Sequence, residues 1–214
     1  MTESPKRLML TLLACLVYGC GISPSSTAID RDGPVAEWQA YAAVPGGGRY
    51  SAATQITPEN VAQLEQAWEY RTGDLRRAGE HPVTYPNGKV LPGMASTWQM
   101  TPLLVNDTLY GCTAFNRVFA LDPASGNERW TFNPGVDVSR EALVNCRGVS
   151  SWQDRTARNT ACSHRIITAT MDSRLIALDG ATGKPCEDFG DNGIVDLSQG
   201  IGEHLAYELS LIHI

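Results

Sequence analysis

Runs of like charge are missing from this sequence. Only 19% of its 214 residues are charged, and the 17 basic and 23 acidic side chains are scattered, for a formal charge of −6. A phosphate backbone calls for a clustered basic face, so nucleic acid is excluded as a partner. Long apolar runs are missing too. The longest, Leu8 to Tyr18, is too short to span a bilayer. No C-x-x-C pair occurs and the four histidines lie far apart, so a zinc site is not expected. What remains is a 43% hydrophobic composition, enough for a packed globular core.

The short apolar run has a different meaning. Lys6 and Arg7 precede it and Gly19-Cys20 follow it, the layout of a secretory signal. Val17-Tyr18-Gly19-Cys20 reads as a bacterial lipobox, with Cys20 as the lipidated residue. The alternative is an ordinary signal peptide cut within residues 21–27. Either way residues 1–20 are a signal, residues 21–36 a flexible tether, and the expected location is the periplasm or cell envelope, with membrane anchoring through lipid at Cys20. Export leaves four mature cysteines, Cys112, Cys146, Cys162 and Cys186, in an oxidising compartment. Four cysteines allow three pairings, and the spacing does not choose among them.

Downstream, Pro45-Gly46-Gly47-Gly48 precludes regular structure. Thr57 and Pro58 then read as the N-cap and first residue of a helix. Val61, Leu64 and Trp68 share one face of it and Gly73 ends it, which predicts about three turns. From residue 100 the pattern becomes β. Leu103-Leu104-Val105 meets Thr108-Leu109-Tyr110 across Asn106-Asp107, a hairpin signal. Val118 to Gly126 (VFALDPASG) then matches Leu175 to Gly183 (LIALDGATG), with 120 falling on 177 and 126 on 183, an offset of 57 in each case. Asp hydrogen-bonds forward into such a turn and the closing Gly accepts positive φ. A four-strand unit repeated at this period describes β-propeller blades. The fold class is all-β: a partial β-propeller, first blades only, over residues 37–202, with a short N-terminal helix. Two blades do not close a ring, and residues 203–214 start no strand pair, so they are set aside as a non-native or truncated tail.

Beyond the repeat, a larger constellation resembles a known family. Trp38-x-x-Tyr41, Gly47-Gly48-Arg49-Tyr50-Ser51, Gln55-Ile56, Asn60-Val61, Leu64 and Ala67-Trp68-x-Tyr70-Arg71-Thr72-Gly73-Asp74 look like the opening of quinoprotein dehydrogenases, which use pyrroloquinoline quinone (PQQ). Thr101-Pro102-Leu103, Leu109-Tyr110 and Asn116-Arg117-Val118 look like their first complete blade, Cys146-Arg147-Gly148-Val149 with Trp152 like the segment reaching the cofactor, and Arg165 to Gly190 like the next blade. The glucose/quinate/shikimate-type branch is the most similar. The resemblance implies an eight-bladed propeller with PQQ on its axis beside calcium or another divalent cation. It implies a sugar, polyol or alcohol substrate, and electrons passed to a membrane quinone or a cytochrome.

Three positions carry over. Arg147 matches the arginine that meets the PQQ quinone oxygens, where a fixed cation stabilises the negative charge of reduction; its plainer role is an ion pair with a surface carboxylate. Gln99 stands where relatives place a glutamate or glutamine at the cofactor. Trp152 stands where glucose-oxidising relatives carry a histidine, a departure that points away from glucose. Relatives imply disulfides within or between adjacent blades, and Cys162–Cys186 is preferred because both cysteines flank the second blade. Trp130 matches a blade-docking position, for which the second repeat has Glu187. Asp172, Asp179 and Asp188 sit at strand and turn positions, so no catalytic base and no metal ligand is assigned within these residues, and the chain alone is expected to be inactive. The rival reading is a non-enzymatic propeller lipoprotein, a scaffold for outer-membrane assembly, which requires neither Arg147 in its Cys-Arg-Gly-Val setting nor the Trp38–Asp74 opening.

Overall fold

The computed structural model describes residues 37–199, apart from 44–45, 52, 85–87, 139–140, 142 and 158–159. The signal, Cys20, the tether and the 203–214 tail lie outside the described residues.

Two four-stranded antiparallel sheets dominate. The first blade is β4 (Leu103–Val105), β5 (Thr108–Cys112), β6 (Val118–Leu121) and β7 (Glu128–Phe132), paired in that order. The second is β9 (Ser150–Gln153), β10 (His164–Ala169), β11 (Arg174–Asp179) and β12 (Ile194–Asp196), again paired in chain order. Two small sheets complete the set: β1 (Val83–Thr84) with β2 (Val90–Leu91), and β3 (Thr97–Trp98) with β8 (Asn145–Cys146). The partial propeller read from the repeat is what forms.

The turns form for local reasons. Asn106 and Asp107 take φ of 49° and 54°, the doubly left-handed turn whose twist matches antiparallel strands. The Asp122 carboxylate accepts hydrogen bonds from the Ala124 and Ser125 amides, and Asp179 does the same for Ala181 and Thr182. Gly126 (φ 72°) and Gly183 (φ 70°) close the two turns. The repeat also extends to the loop before it. Thr113–Arg117 and Thr170–Arg174 close with equivalent backbone bonds (2.8 and 2.9 Å), with Asn116 (φ 62°) and Ser173 (φ 66°) left-handed.

The core lies between the blades. Tyr110 and Trp130 of the first blade donate to one acceptor of the second, the Gly180 carbonyl, each at 2.9 Å. Ile166, Ile176 and Leu178 meet them and are wholly buried. Glycine is obligatory at this seam, because a Cβ on Gly183 would lie 2.5 Å from the Trp130 ring. Trp130 docks the blades as its sequence position implied, and Glu187, its sequence counterpart, is exposed.

The predicted three-turn helix does not form. Only a 3-10 turn, Val61–Gln63, follows the Thr57 turn, and Val61 and Leu64 are exposed. An isolated helix of this length is marginal, and the blade supplies a better partner for its aromatics. Trp68 and Tyr70 lie on an extended segment, where alternate residues share a face. Trp68 donates to the Pro123 carbonyl (3.1 Å), and its ring covers the Gly126 turn. This is the Trp130 contact made again, one blade earlier. Trp68-x-Tyr70-x-x-Gly73 matches Trp130-x-Phe132-x-x-Gly135, with both glycines at positive φ (75° and 67°). The opening segment therefore stands toward the first blade as β7 stands toward the second.

Candidate cofactor site

The site grows from a strand pair two residues long. β3 and β8 run parallel, with Thr97 opposite Asn145 and Trp98 opposite Cys146. The residues that follow the two strands are Gln99 and Arg147. Parallel neighbours lie about 4.8 Å apart, so residues 48 positions apart in sequence emerge side by side. Asn145 fixes the first, donating to Gln99 Oε1 at 3.0 Å. Both Gln99 and Arg147 are exposed.

Three supports hold β8. The Cys112–Cys146 disulfide ties it to the end of β5. The Thr97 amide donates to the carbonyl of Val144, which is wholly buried. Asn116, buried, donates to the Asn145 carbonyl (3.1 Å) and accepts from the Met171 amide (2.8 Å), clamping β8 between the blades. Sequence reasoning placed Asn116 only within a motif. Its clue was an Asn where a left-handed residue is required.

Among the described residues Arg147 is exposed and makes no hydrogen bond or ion pair. The buried and half-buried arginines, by contrast, are engaged. Arg76, buried, donates to the Met94, Val138 and Glu141 carbonyls, and desolvation pushes its guanidinium down. Arg117 pairs with Asp74, and Arg174 with Asp172.

Trp152 is tied to a different neighbour. It lies on β9, directly opposite Arg165 of β10, whose guanidinium sits 5.2 Å from the ring centroid. The ring stays 46% exposed beside that contact. Arg165 pairs with Asp188 and donates to the Cys162 carbonyl. The Trp152–Arg165 contact was not legible in the sequence, since it depends on strand register.

Cys162–Cys186 forms, as preferred from the resemblance, and Cys112–Cys146 is the second disulfide. Cys162, Cys186 and Asp188 cluster closely enough for a metal, but the bridge already uses both sulfurs. Asp172 and Asp188 are in ion pairs. Asp179 also receives the Cys162 amide at 2.6 Å. Burial is the largest influence on its carboxyl and raises it, but the hydrogen bonds from Cys162, Thr182 and Ala181 outweigh burial and hold the group below the usual carboxylate range.

A family model described as PQQ-type "Glucose/ethanol/alcohol dehydrogenase, beta-propeller domain" matches residues 38–212. The chain belongs to this PQQ-dependent dehydrogenase family. It is 38% identical to the quinoprotein glucose dehydrogenase of Escherichia coli (strain K12), across 82% of this chain and 22% of that protein. It is 37% identical to the glycerol dehydrogenase large subunit of Gluconobacter oxydans (strain 621H), across 85% of this chain and 23% of the relative. The crystal structure of the quinohemoprotein alcohol dehydrogenase from Comamonas testosteroni superposes with a TM-score of 0.56 at 26% identity, covering 78% of this chain and 20% of that one. The chain thus spans about a fifth of the length of the relatives it matches.

The fold brings the ends of β3 and β8 together, so Gln99 and Arg147 follow paired strands, while the contact made by the Trp152 ring is with Arg165. An exposed guanidinium and an amide are donors of the kind a quinone accepts. Asp172, Asp179 and Asp188 are already engaged in ion pairs or turn hydrogen bonds.

Proposed function

We propose that the chain supplies the first blades of an exported PQQ-dependent dehydrogenase that oxidises a hydroxyl of a sugar, polyol or alcohol. The observation that carries this reading is the exposed, unpartnered Arg147 beside Gln99, within a propeller of this family. PQQ, when bound, would supply the quinone that takes up a hydride from the substrate carbon. Arg147 then presents a fixed positive charge to the quinone oxygens, where charge-assisted donors are strongest in a site shielded from water. Gln99, oriented by Asn145, adds a neutral amide beside that cation. Trp152 offers its open ring face to the planar cofactor. Calcium or another divalent cation accompanies PQQ, on ligands other than these three residues. Electrons leave to a quinone or cytochrome. Two disulfides support an oxidising compartment, so we place the protein in the periplasm, held at the membrane through lipid on Cys20.

Dye-linked oxidation tests this in the whole protein supplied with PQQ and calcium, across glucose, glycerol, quinate and primary alcohols. PQQ-dependent dye reduction with at least one class is expected, and Arg147→Gln should lower kcat/KM about 100-fold or more. Absence of PQQ-dependent turnover on every class would sink the proposal.

A further inference from the structure

A line of contacts runs from the second disulfide to the Trp152 ring. Cys162 takes an unusual left-handed backbone (φ 58°) and is fixed three ways: by its bridge to Cys186, by its amide on Asp179, and by its carbonyl. That carbonyl accepts Arg165 Nε at 3.0 Å. Two residues beyond Cys186, Asp188 pairs with the far end of the same guanidinium. The Arg165 side chain is only 16% exposed although it carries a charge. Its plane is thereby set at both ends before it meets the Trp152 ring, 5.2 Å away and directly across the strand pair.

We infer that Arg165 is a positioning residue: held by Cys162 and Asp188, it fixes the Trp152 ring in the pose that flanks the cofactor. The inference rests on the reading of Trp152 given under Proposed function. A guanidinium stacked on an indole is attractive through the ring quadrupole. Arg165 lies over the ring, which stays 46% exposed and so keeps surface for a planar ligand. The disulfide then serves the site as well as the blade, because it anchors both contacts that orient Arg165.

Two readouts in the whole protein test this, one of them independent of PQQ. The fluorescence of Trp152 is isolated by difference against Trp152→Phe, and its acrylamide quenching is measured below the unfolding transition. PQQ affinity is measured by titration of the cofactor-free protein. Arg165→Met keeps much of the stem but removes the charge. It should raise the quenching constant of Trp152 at least about twofold and weaken PQQ about threefold to tenfold, the range of a partly exposed cation–π contact. Asp188→Asn, at an exposed position that should not endanger folding, should move both readouts the same way by less, and Arg165→Lys should restore part of the loss. Quenching that stays at the wild-type value in both Arg165→Met and Asp188→Asn overturns the inference. So does freer quenching with unchanged PQQ affinity. If wild type itself fails to bind PQQ while quenching responds as expected, the functional reading is what fails, and the cofactor part of the inference falls with it.

Discussion

The two blades are one design executed twice, and they differ at their outer edges. Each has the same Asp turn, the same left-handed loop residue, and an arginine after that loop that reaches back to the preceding segment, to the Thr72 carbonyl in the first blade and to the Pro134 carbonyl in the second. Each turn is also covered by a tryptophan from the segment before it, Trp68 over Gly126 and Trp130 over Gly183. The second blade adds the Cys162–Cys186 bridge. There Asp179 holds the Cys162 amide in addition to its own turn, whereas Asp122 pairs with the exposed side of Arg129. Repeated elements carry the fold, and the additions lead to Trp152.

The largest expected effect breaks the seam. Trp130→Ala removes a buried indole and one of two donors to Gly180, and should cost about 3–5 kcal/mol in a denaturant midpoint analysis. Trp68→Ala makes the equivalent cut at a half-buried position and should cost less, about 1–3 kcal/mol. Equal losses would contradict the assignment of Trp130 to the core and Trp68 to its margin.

The second comparison is between the turn aspartates. Asp179→Asn weakens a buried acceptor that serves the turn and Cys162 together, and should cost about 1–2 kcal/mol. Asp122→Asn should cost less. Arg129 and then the Ser125 hydrogen bonds hold the Asp122 carboxyl at about 2, so its contribution is present above the ordinary aspartate range and is lost as the pH falls from about 4 toward 2. Acid titration of the two variants separates these terms.

The smallest effect is a pH dependence at the same seam. His164 packs edge-on against Tyr110, meets Ser151 at 3.0 Å and Asn106 at 3.4 Å, and fills the space a Cβ on Gly180 would need. Burial pushes its imidazole below the usual range, with Asp179 and Glu37 opposing this through their charge. Below its ordinary pKa of about 6.5 the unfolded chain binds a proton that the folded chain resists. Stability should therefore decline between about pH 7 and pH 5.5, and His164→Gln should flatten that slope. An equal slope in the variant would place the acid sensitivity elsewhere.

The sequence showed what is encoded locally. Asp122 and Asp179 build their turns from their own neighbours, and Asn106-Asp107 needs no distant partner, so these elements were legible. The helix was misread because the spacing of Val61, Leu64 and Trp68 fits one helical face while Trp68 and Tyr70 also fit alternate residues of an extended chain. Packing on the blade decides between those periods. The Gln99 and Arg147 positions were legible only through resemblance, because a two-residue parallel pairing of β3 and β8 is what brings them together. The Trp152–Arg165 contact depends on cross-strand register, which no local pattern records.

The central claim is that Arg147 is left unpartnered in order to meet the cofactor. Titration of the cofactor-free whole protein with PQQ, wild type against Arg147→Ala, tests it most directly. The prediction is an unchanged thermal midpoint before PQQ is added, since Arg147 makes no hydrogen bond or ion pair among the described residues, and a Kd weakened about tenfold or more, the loss of a charge-assisted contact. An unchanged Kd with PQQ still bound would contradict the account.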